Sequence, residues 1–81
     1  MNYSKVEAAY IILEEYKRPL HLKEIIRISL EREMIQTDGK TPHSTLGADM
    51  LKENSRRESQ NREKRFKRTA PATWGLTKWY K

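Results

Sequence analysis

The segment 52–65 contains no apolar residue, and this gap constrains the fold more than any other feature of the sequence. Apolar side chains recur regularly before the gap and begin again at Phe66. Since a stretch with nothing to bury does not form a packed element, we expect a helix end that frays into a loop. The gap therefore separates a helical part of the chain from a short part made of strands.

The first helix is predicted from about residue 4 to 17. It begins at an S-x-x-E capping box, in which Ser4 accepts from a free backbone N–H and Glu7 reaches back to the cap. It ends before Pro19, because the residue that precedes a proline avoids helical dihedrals. Its buried face is predicted from 3.6-residue spacing to comprise Val6, Ala9, Tyr10, Leu13 and Tyr16.

A strand stub, Leu20-His21-Leu22, leads into a second helix from about residue 23 to 33. Ile28 lies off the apolar stripe of this helix and is predicted to be partly exposed. His21 is expected to be a packed structural histidine. The buried stripe is predicted to comprise Leu22, Ile25, Ile26, Ser29 and Leu30.

The third helix is predicted at about 42–54, after an Asp38-Gly39 turn. Thr41 is a good N-cap, and Pro42 suits the first helical position because its missing N–H would be unpaired there. Leu46 and Met50 form a narrow inward stripe. A basic loop is expected over 55–64.

A hairpin is predicted at 65–77, with strands at 66–69 and 73–77 joined by residues 70–72. Phe66, Trp74 and Leu76 are expected to point inward, whereas Arg65 and Lys67 point outward. Trp79 and Tyr80 are expected to cover the end of the hairpin. The predicted fold over 1–81 is a single α+β domain, a winged helix-turn-helix in which a three-helix bundle carries a small two- or three-stranded antiparallel sheet.

Positive charge is concentrated in the second half of the chain. Residues 1–39 hold six basic and seven acidic side chains, a net charge of −1, whereas residues 40–81 hold eleven basic and four acidic side chains, a net charge of +7. A one-sided positive field is typical of proteins that bind a polyanion. The alternative is a solvated surface that only keeps the protein soluble.

Several classes of function lack their sequence signals. The chain has no cysteine, and its two histidines lie in dissimilar contexts, so neither a metal-ligand spacing nor a nucleophile–base pair is visible. No apolar run approaches the ~20 residues of a membrane helix, and the first residues lack the pattern of a secretory signal. We expect a soluble, internal, non-enzymatic protein with no cofactor, metal or small-molecule substrate.

The sequence resembles the HARE helix-turn-helix family over nearly the whole chain. Each matching piece is a weak signal, but their shared order and spacing are specific. The pieces are Ala8-Ala9-Tyr10, Pro19-Leu20-His21, Glu24-Ile25, Gly39-Lys40-Thr41-Pro42, Thr45-Leu46, Phe66-Lys67-Arg68 and Trp74-Gly75-Leu76.

This resemblance implies a winged helix that binds DNA or attaches to a DNA-acting machine, with sensitivity to modified bases. Such domains occur in Asx-like chromatin proteins, in restriction endonucleases and in the delta subunit of bacterial RNA polymerase. It places the chain in transcription regulation or restriction-modification, in the cytoplasm at the nucleoid of a prokaryote or in the nucleus of a eukaryote. The stretch 55–65 is longer and more basic than the family pattern needs. No catalytic domain accompanies it, so an effector would come from a partner protein.

Duplex DNA is the expected partner, with the third helix in the major groove. The outward face of that helix is predicted to carry Ser44, Thr45, Ala48 and Lys52. Thr45 could instead cap or pack locally, and His43 could pack half-buried or contact DNA. Lys40 and Thr41 form a phosphate anchor at the helix start, or simply good capping chemistry.

The basic stretch is the second predicted contact region, and it suits phosphates or the minor groove. Its alternative is a solvated loop. Its members are Arg56, Arg57, Arg62, Lys64, Arg65, Lys67 and Arg68.

Two other binding modes remain open. One is a protein-interaction module that docks onto a DNA- or RNA-processing complex through an exposed apolar patch. That patch is predicted to comprise Ile11, Ile12, Ile28, Trp79 and Tyr80. The other is structured RNA, because the same basic surface could contact an A-form backbone.

Overall fold

A computed structural model describes residues 3–36 and 42–80, with the side chains of 42–44 excepted. Three helices are followed by a small antiparallel sheet, so the predicted α+β winged helix-turn-helix is confirmed. The elements are α1 (Lys5–Tyr16), β1 (Leu20–His21), α2 (Leu22–Glu31), α3 (Pro42–Ser59), β2 (Phe66–Ala70), β3 (Thr73–Leu76) and the 3-10 helix η1 (Thr77–Tyr80).

The sheet has three strands in the order β1-β3-β2, and both pairings are antiparallel. The stub β1 contributes the third strand, with Leu20 opposite Trp74. We call β2, β3 and the turn between them the wing hairpin. Its turn consists of Pro71 and Ala72 and carries no charge, so the basic residues of the hairpin lie on β2 itself.

The core lies between the three helices and one face of the sheet, and Phe66, Trp74 and Leu76 are buried in it as predicted. Two predictions about isoleucines are wrong, because Ile12 and Ile28 are buried rather than exposed. Leu30 was expected inside but is 41% exposed. Since α2 packs against both α1 and α3, its buried arc extends to Ile28 and leaves Leu30 outside.

The starts of α1 and α2 are fixed by side-chain caps. Ser4 Oγ accepts a hydrogen bond from the Glu7 N–H at 3.2 Å, as the capping box predicts. The Glu7 carboxylate, however, accepts from Arg65, which is distant in sequence. His21 is exposed rather than packed, and its Nδ1 accepts from the Lys23 N–H at 3.1 Å. The histidine is therefore structural, but as a helix cap.

Helix α3 is longer than predicted, because it continues to Ser59 through the segment without apolar residues. Ion pairs replace burial there, since Glu53 bonds to Arg56 and Arg57 one turn further on. The helix ends where Asn61 adopts a left-handed conformation with φ 57°. The next N–H, of Arg62, donates to the Arg57 carbonyl at 2.7 Å. Only 60–65 connects α3 to the sheet, so the loop has six residues, whereas ten were predicted over 55–64.

Asn54 joins α3 to the outer edge of the sheet. It continues the inward stripe of Leu46 and Met50 and is buried with them. Its Nδ2 donates to the Phe66 carbonyl at 3.0 Å, and its Oδ1 accepts from the Phe66 N–H at 3.4 Å. The amide thus bonds both backbone groups of the first residue of an edge strand, in the manner of a neighbouring strand.

Replacing Asn54 with alanine should destabilise the fold by about 2 kcal/mol, because both Phe66 backbone groups would lose a buried partner. The measurement is the free energy of unfolding in urea. Ser55→Ala, at an exposed neighbouring position of the same helix, is the control. Equal stability of the two variants would contradict the assigned role.

At position 33, which follows the end of α2, glycine should give a more stable fold than the glutamate present. Its φ is 54°, and it occupies the left-handed position of a helix C-terminus, where its N–H donates to the Leu30 carbonyl. Glycine has no Cβ penalty there, so Glu33→Gly should raise the free energy of unfolding by about 1 kcal/mol. Glu33→Ala removes the same carboxylate but keeps the penalty, so it should gain clearly less in the same urea titration.

Candidate nucleic-acid interface

Helix α3 presents one polar face to solvent. Thr45, Ala48 and Lys52 lie on it, opposite the buried Leu46 and Met50, as predicted. The predicted contacts at the start of the helix lie outside the described residues. These are the side chains of His43 and Ser44, together with Lys40 and Thr41 of the predicted phosphate anchor.

Close packing against α2 sets the position of this face. A Cβ added to Gly47 would lie 3.1 Å from Leu22 Cδ1, tighter than most contacts between real side chains. The absence of a side chain at Gly47 thus lets α3 approach the N-terminal end of α2. That approach holds the two helices of the helix-turn-helix against each other while the outer face of α3 stays free.

Sequence reasoning missed Leu51, the most exposed large hydrophobic residue of the described chain, with 57% of its surface accessible. It lies beside the polar face of α3 and borders an open groove of about 390 Å³ between that helix and the wing hairpin. The groove is lined by Leu22, Gly47, Ala48, Leu51, Arg68, Ala72 and Trp74. In the sequence, Leu51 lies next to the predicted inward stripe, so its spacing does not indicate exposure. Its exposure depends on where the wing hairpin lies relative to α3.

Lys67 and Arg68 project from opposite faces of β2. Arg68 pairs across the sheet with Trp74 and shares the face that meets α3, so its exposed guanidinium borders the groove beside Leu51. Lys67 pairs with Gly75 on the other face, where its Nζ lies 4.8 Å from the centre of the Tyr80 ring. Only Arg68 therefore extends the surface of α3.

Arg65 does not point into solvent, so the prediction of an outward Arg65 is wrong. One of its terminal nitrogens donates to Glu7 at 2.8 Å and to Glu53 at 2.9 Å, and the guanidinium lies 4.1 Å from the centre of the Tyr10 ring. Its side chain is 15% exposed. We call Arg65, Glu7, Glu53 and Tyr10 the Arg65 cluster. It connects α1, α3 and the start of β2.

Both carboxyl groups of this cluster are held ionised. Hydrogen bonds from Arg65 lower the pKa of Glu7. Burial raises the pKa of Glu53, but hydrogen bonds from Arg65 and Arg57 outweigh it, so the net pKa is lowered. The same contact with Glu7 raises the pKa of Arg65. An arginine engaged in this way contributes structure rather than a phosphate contact.

The other predicted phosphate ligands fall into two groups, those that pair with a carboxylate and those that do not. Arg57 and Arg56 both bond to Glu53, although Arg56 remains 67% exposed and its bond is long at 3.4 Å. Lys64 lies 3.6 Å from Glu58. Among the side chains that the structure describes from 45 to 80, Lys52, Arg62, Lys67 and Arg68 have no carboxylate partner. These four and Arg56 are the cations available to a polyanion.

Within residues 3–36 and 42–80, no cluster of three or more histidines and carboxylates is placed to hold a metal ion. None of the helices in that same part of the chain has the length and hydropathy needed to cross a membrane.

Replacing Arg65 with methionine should destabilise the fold by about 2 kcal/mol, because it leaves the mostly buried Glu53 without its closest cation. The lowered pKa values of Glu7 and Glu53 stabilise the fold above the usual carboxyl pKa of 4.5, and that contribution is lost as the pH falls through the lowered values. In the variant, stability should therefore depend less on pH below 4.5. Urea unfolding at several pH values measures both effects.

Arg62→Met is the matched control, because Arg62 is exposed and has no carboxylate partner among the described residues. Its stability and its pH dependence should equal those of the unaltered chain. If Arg65→Met retained the full pH dependence, the Arg65 cluster would not be the source of that stability.

Comparison with known proteins gives one family match. The model of the HARE-HTH family, whose description includes ASXL and a restriction endonuclease helix-turn-helix domain, matches residues 4–79, which is nearly the whole chain. Searches of curated proteins and of solved structures give no significant match.

Proposed function

The chain belongs to the HARE-HTH family of helix-turn-helix DNA-binding domains, and on that premise we propose that it binds duplex DNA through the exposed face of α3. Thr45, Ala48 and Lys52 enter the major groove. Arg68 contacts a phosphate beside them. Lys67 and Arg62 reach phosphates further out, and Lys40 with Thr41 holds a phosphate at the start of the helix.

One observation supports this proposal most strongly. The small residues on the outer face of α3 adjoin Lys52 and Arg68, two cations with no carboxylate partner among the described residues. Small side chains allow a helix to sit deep in a groove, and unpaired cations beside it meet the phosphate backbone. Ala48 is suited to contact a C5 substituent on a pyrimidine, which is how a modified base would be sensed.

The salt dependence of duplex binding tests the proposal. If Lys40, Lys52, Arg62, Lys67 and Arg68 each neutralise one phosphate, log Kd should rise against log salt with a slope of about 4.5. The measurement is fluorescence anisotropy of a labelled duplex at several salt concentrations. Absence of binding at low salt, or binding that does not change with salt, would rule the proposal out.

Charge reversals locate the contact surface. Arg68→Glu and Thr45→Glu should weaken duplex binding by at least about tenfold, because each places a carboxylate against a phosphate or a base edge. Lys5→Glu makes the same change in net charge as Arg68→Glu but lies at the start of α1, so it should have little effect. Equal losses in Arg68→Glu and Lys5→Glu would indicate attraction by net charge alone. Titration of single-stranded DNA, a base-modified duplex and double-stranded RNA at the same salt identifies the preferred nucleic acid.

The alternative, a protein-interaction module, was based on a predicted apolar patch that is mostly not exposed. Ile12 and Ile28 of the predicted apolar patch are buried, and Ile11 and Trp79 are half-buried, which leaves Tyr80 as its only exposed member. A partner protein that carries an effector stays a proposal and needs a different surface.

A further inference from the structure

The groove beside α3 has a mostly apolar lining, which binding of a phosphate backbone does not require. It continues past Leu51, Arg68 and Trp74 into a second depression of about 380 Å³, whose lining adds Asn54, Lys64, Phe66, Lys67 and Thr77. The surface of the combined groove is mostly apolar, and Arg68 supplies its unpaired cation. The ammonium of Lys67 lies by Tyr80 on the other face of β2, and Lys64 pairs with Glu58. We call this surface the α3–wing groove.

Leu51 is the part of this groove that DNA binding leaves unexplained. More than half of its surface is accessible to water, and it lines the same groove as Trp74 and Arg68. A phosphate gains nothing from contact with leucine, whereas an apolar side chain is stabilised in proportion to the apolar surface that the contact buries. A ligand matched to the groove therefore carries apolar groups and negative charges together.

We propose that the α3–wing groove binds an acidic segment of a partner protein that carries apolar anchor residues. A leucine or phenylalanine of the segment packs on Leu51 and excludes water from it, whereas Trp74 is already buried. A carboxylate beside it accepts hydrogen bonds from Arg68, which has no carboxylate partner among the described residues. Charged hydrogen bonds fix the direction of the segment, and the apolar anchors supply the affinity.

The same arginine serves both ligands, so the segment and the duplex compete for Arg68. This competition rests on the proposed DNA binding, whereas the binding of the segment does not. An acidic partner would then release the domain from DNA without altering the fold, because the two occupied states share one surface.

A labelled peptide in which glutamates alternate with leucines is the probe, titrated by fluorescence anisotropy into the full chain. Two peptides of the same length are its controls, one with serine in place of every leucine and one with glutamine in place of every glutamate. We expect the glutamate–leucine peptide to bind tighter than both. If the glutamate–serine peptide bound equally well, charge alone would explain binding and the proposal would be overturned. If the glutamine–leucine peptide bound equally well, the carboxylates would have no role, and the proposal would be overturned too.

The variant Leu51→Gln tests the site itself, since glutamine keeps the size of the side chain and removes its apolar surface. Binding of the glutamate–leucine peptide should weaken about tenfold. Leu30→Gln is the matched control, because Leu30 is 41% exposed on α2 and does not border the groove. It should leave peptide binding unchanged. Thermal unfolding of both variants shows that each is folded.

Titration of duplex DNA with the same variants separates the two proposals. If the duplex Kd of Leu51→Gln stays within about twofold of that of the unaltered chain, Leu51 has an apolar function separate from DNA binding. A loss for the duplex equal to that for the peptide would make Leu51 a base contact and overturn the inference. If the peptide binds and the duplex does not, the proposed DNA binding fails while the assignment of the groove holds.

Discussion

The position of the sheet relative to the helices depends on the Arg65 cluster. A connection of a few residues, 60–65, leads from α3 to β2, and its last residue donates to Glu7 on α1 and Glu53 on α3. Asn54, one residue beyond Glu53, bonds both backbone groups of Phe66. Two consecutive residues of α3 thus hold two consecutive residues at the start of the wing hairpin. The direction of β2, and with it the place of Arg68 beside α3, follows from this double attachment.

The same contacts reduce the positive charge that a nucleic acid meets. The stretch from Arg56 to Arg68 is the most basic in the sequence, yet Glu53 alone engages three of its arginines. Buried or half-buried pairs of this kind are screened little by salt and persist under conditions that weaken surface attraction. The unpaired positive charge is therefore more localised than the number of basic side chains suggests. Lys52 and Arg68 are the unpaired cations next to the outer face of α3.

Much of the architecture was predictable because it depends on local patterns. The Ser4 cap, the start of α3 at Pro42 and the inward Phe66, Trp74 and Leu76 depend on residues close in sequence. These local patterns predicted the order of the elements. The length of α3 was not predictable from apolar spacing, because its last turns are stabilised by ion pairs with Glu53. Nor was the role of Arg65, whose partner Glu7 lies at the other end of the chain. Alternation along β2 correctly placed Lys67, but it could not show that carboxylates from two helices converge beside Arg65.

On the proposed DNA binding, the turn of the wing hairpin, Pro71 and Ala72, would limit how much sequence information the domain can read. A hairpin that ends after two uncharged residues has no long arm to reach across the backbone into a neighbouring groove. Its footprint is then that of one helix, which in other single-helix readers covers about three base pairs. A DNA site of so few base pairs occurs very often in any genome. Discrimination would have to come from a second module on the same polypeptide or assembly, whose tethering raises the effective concentration of this one at chosen sites.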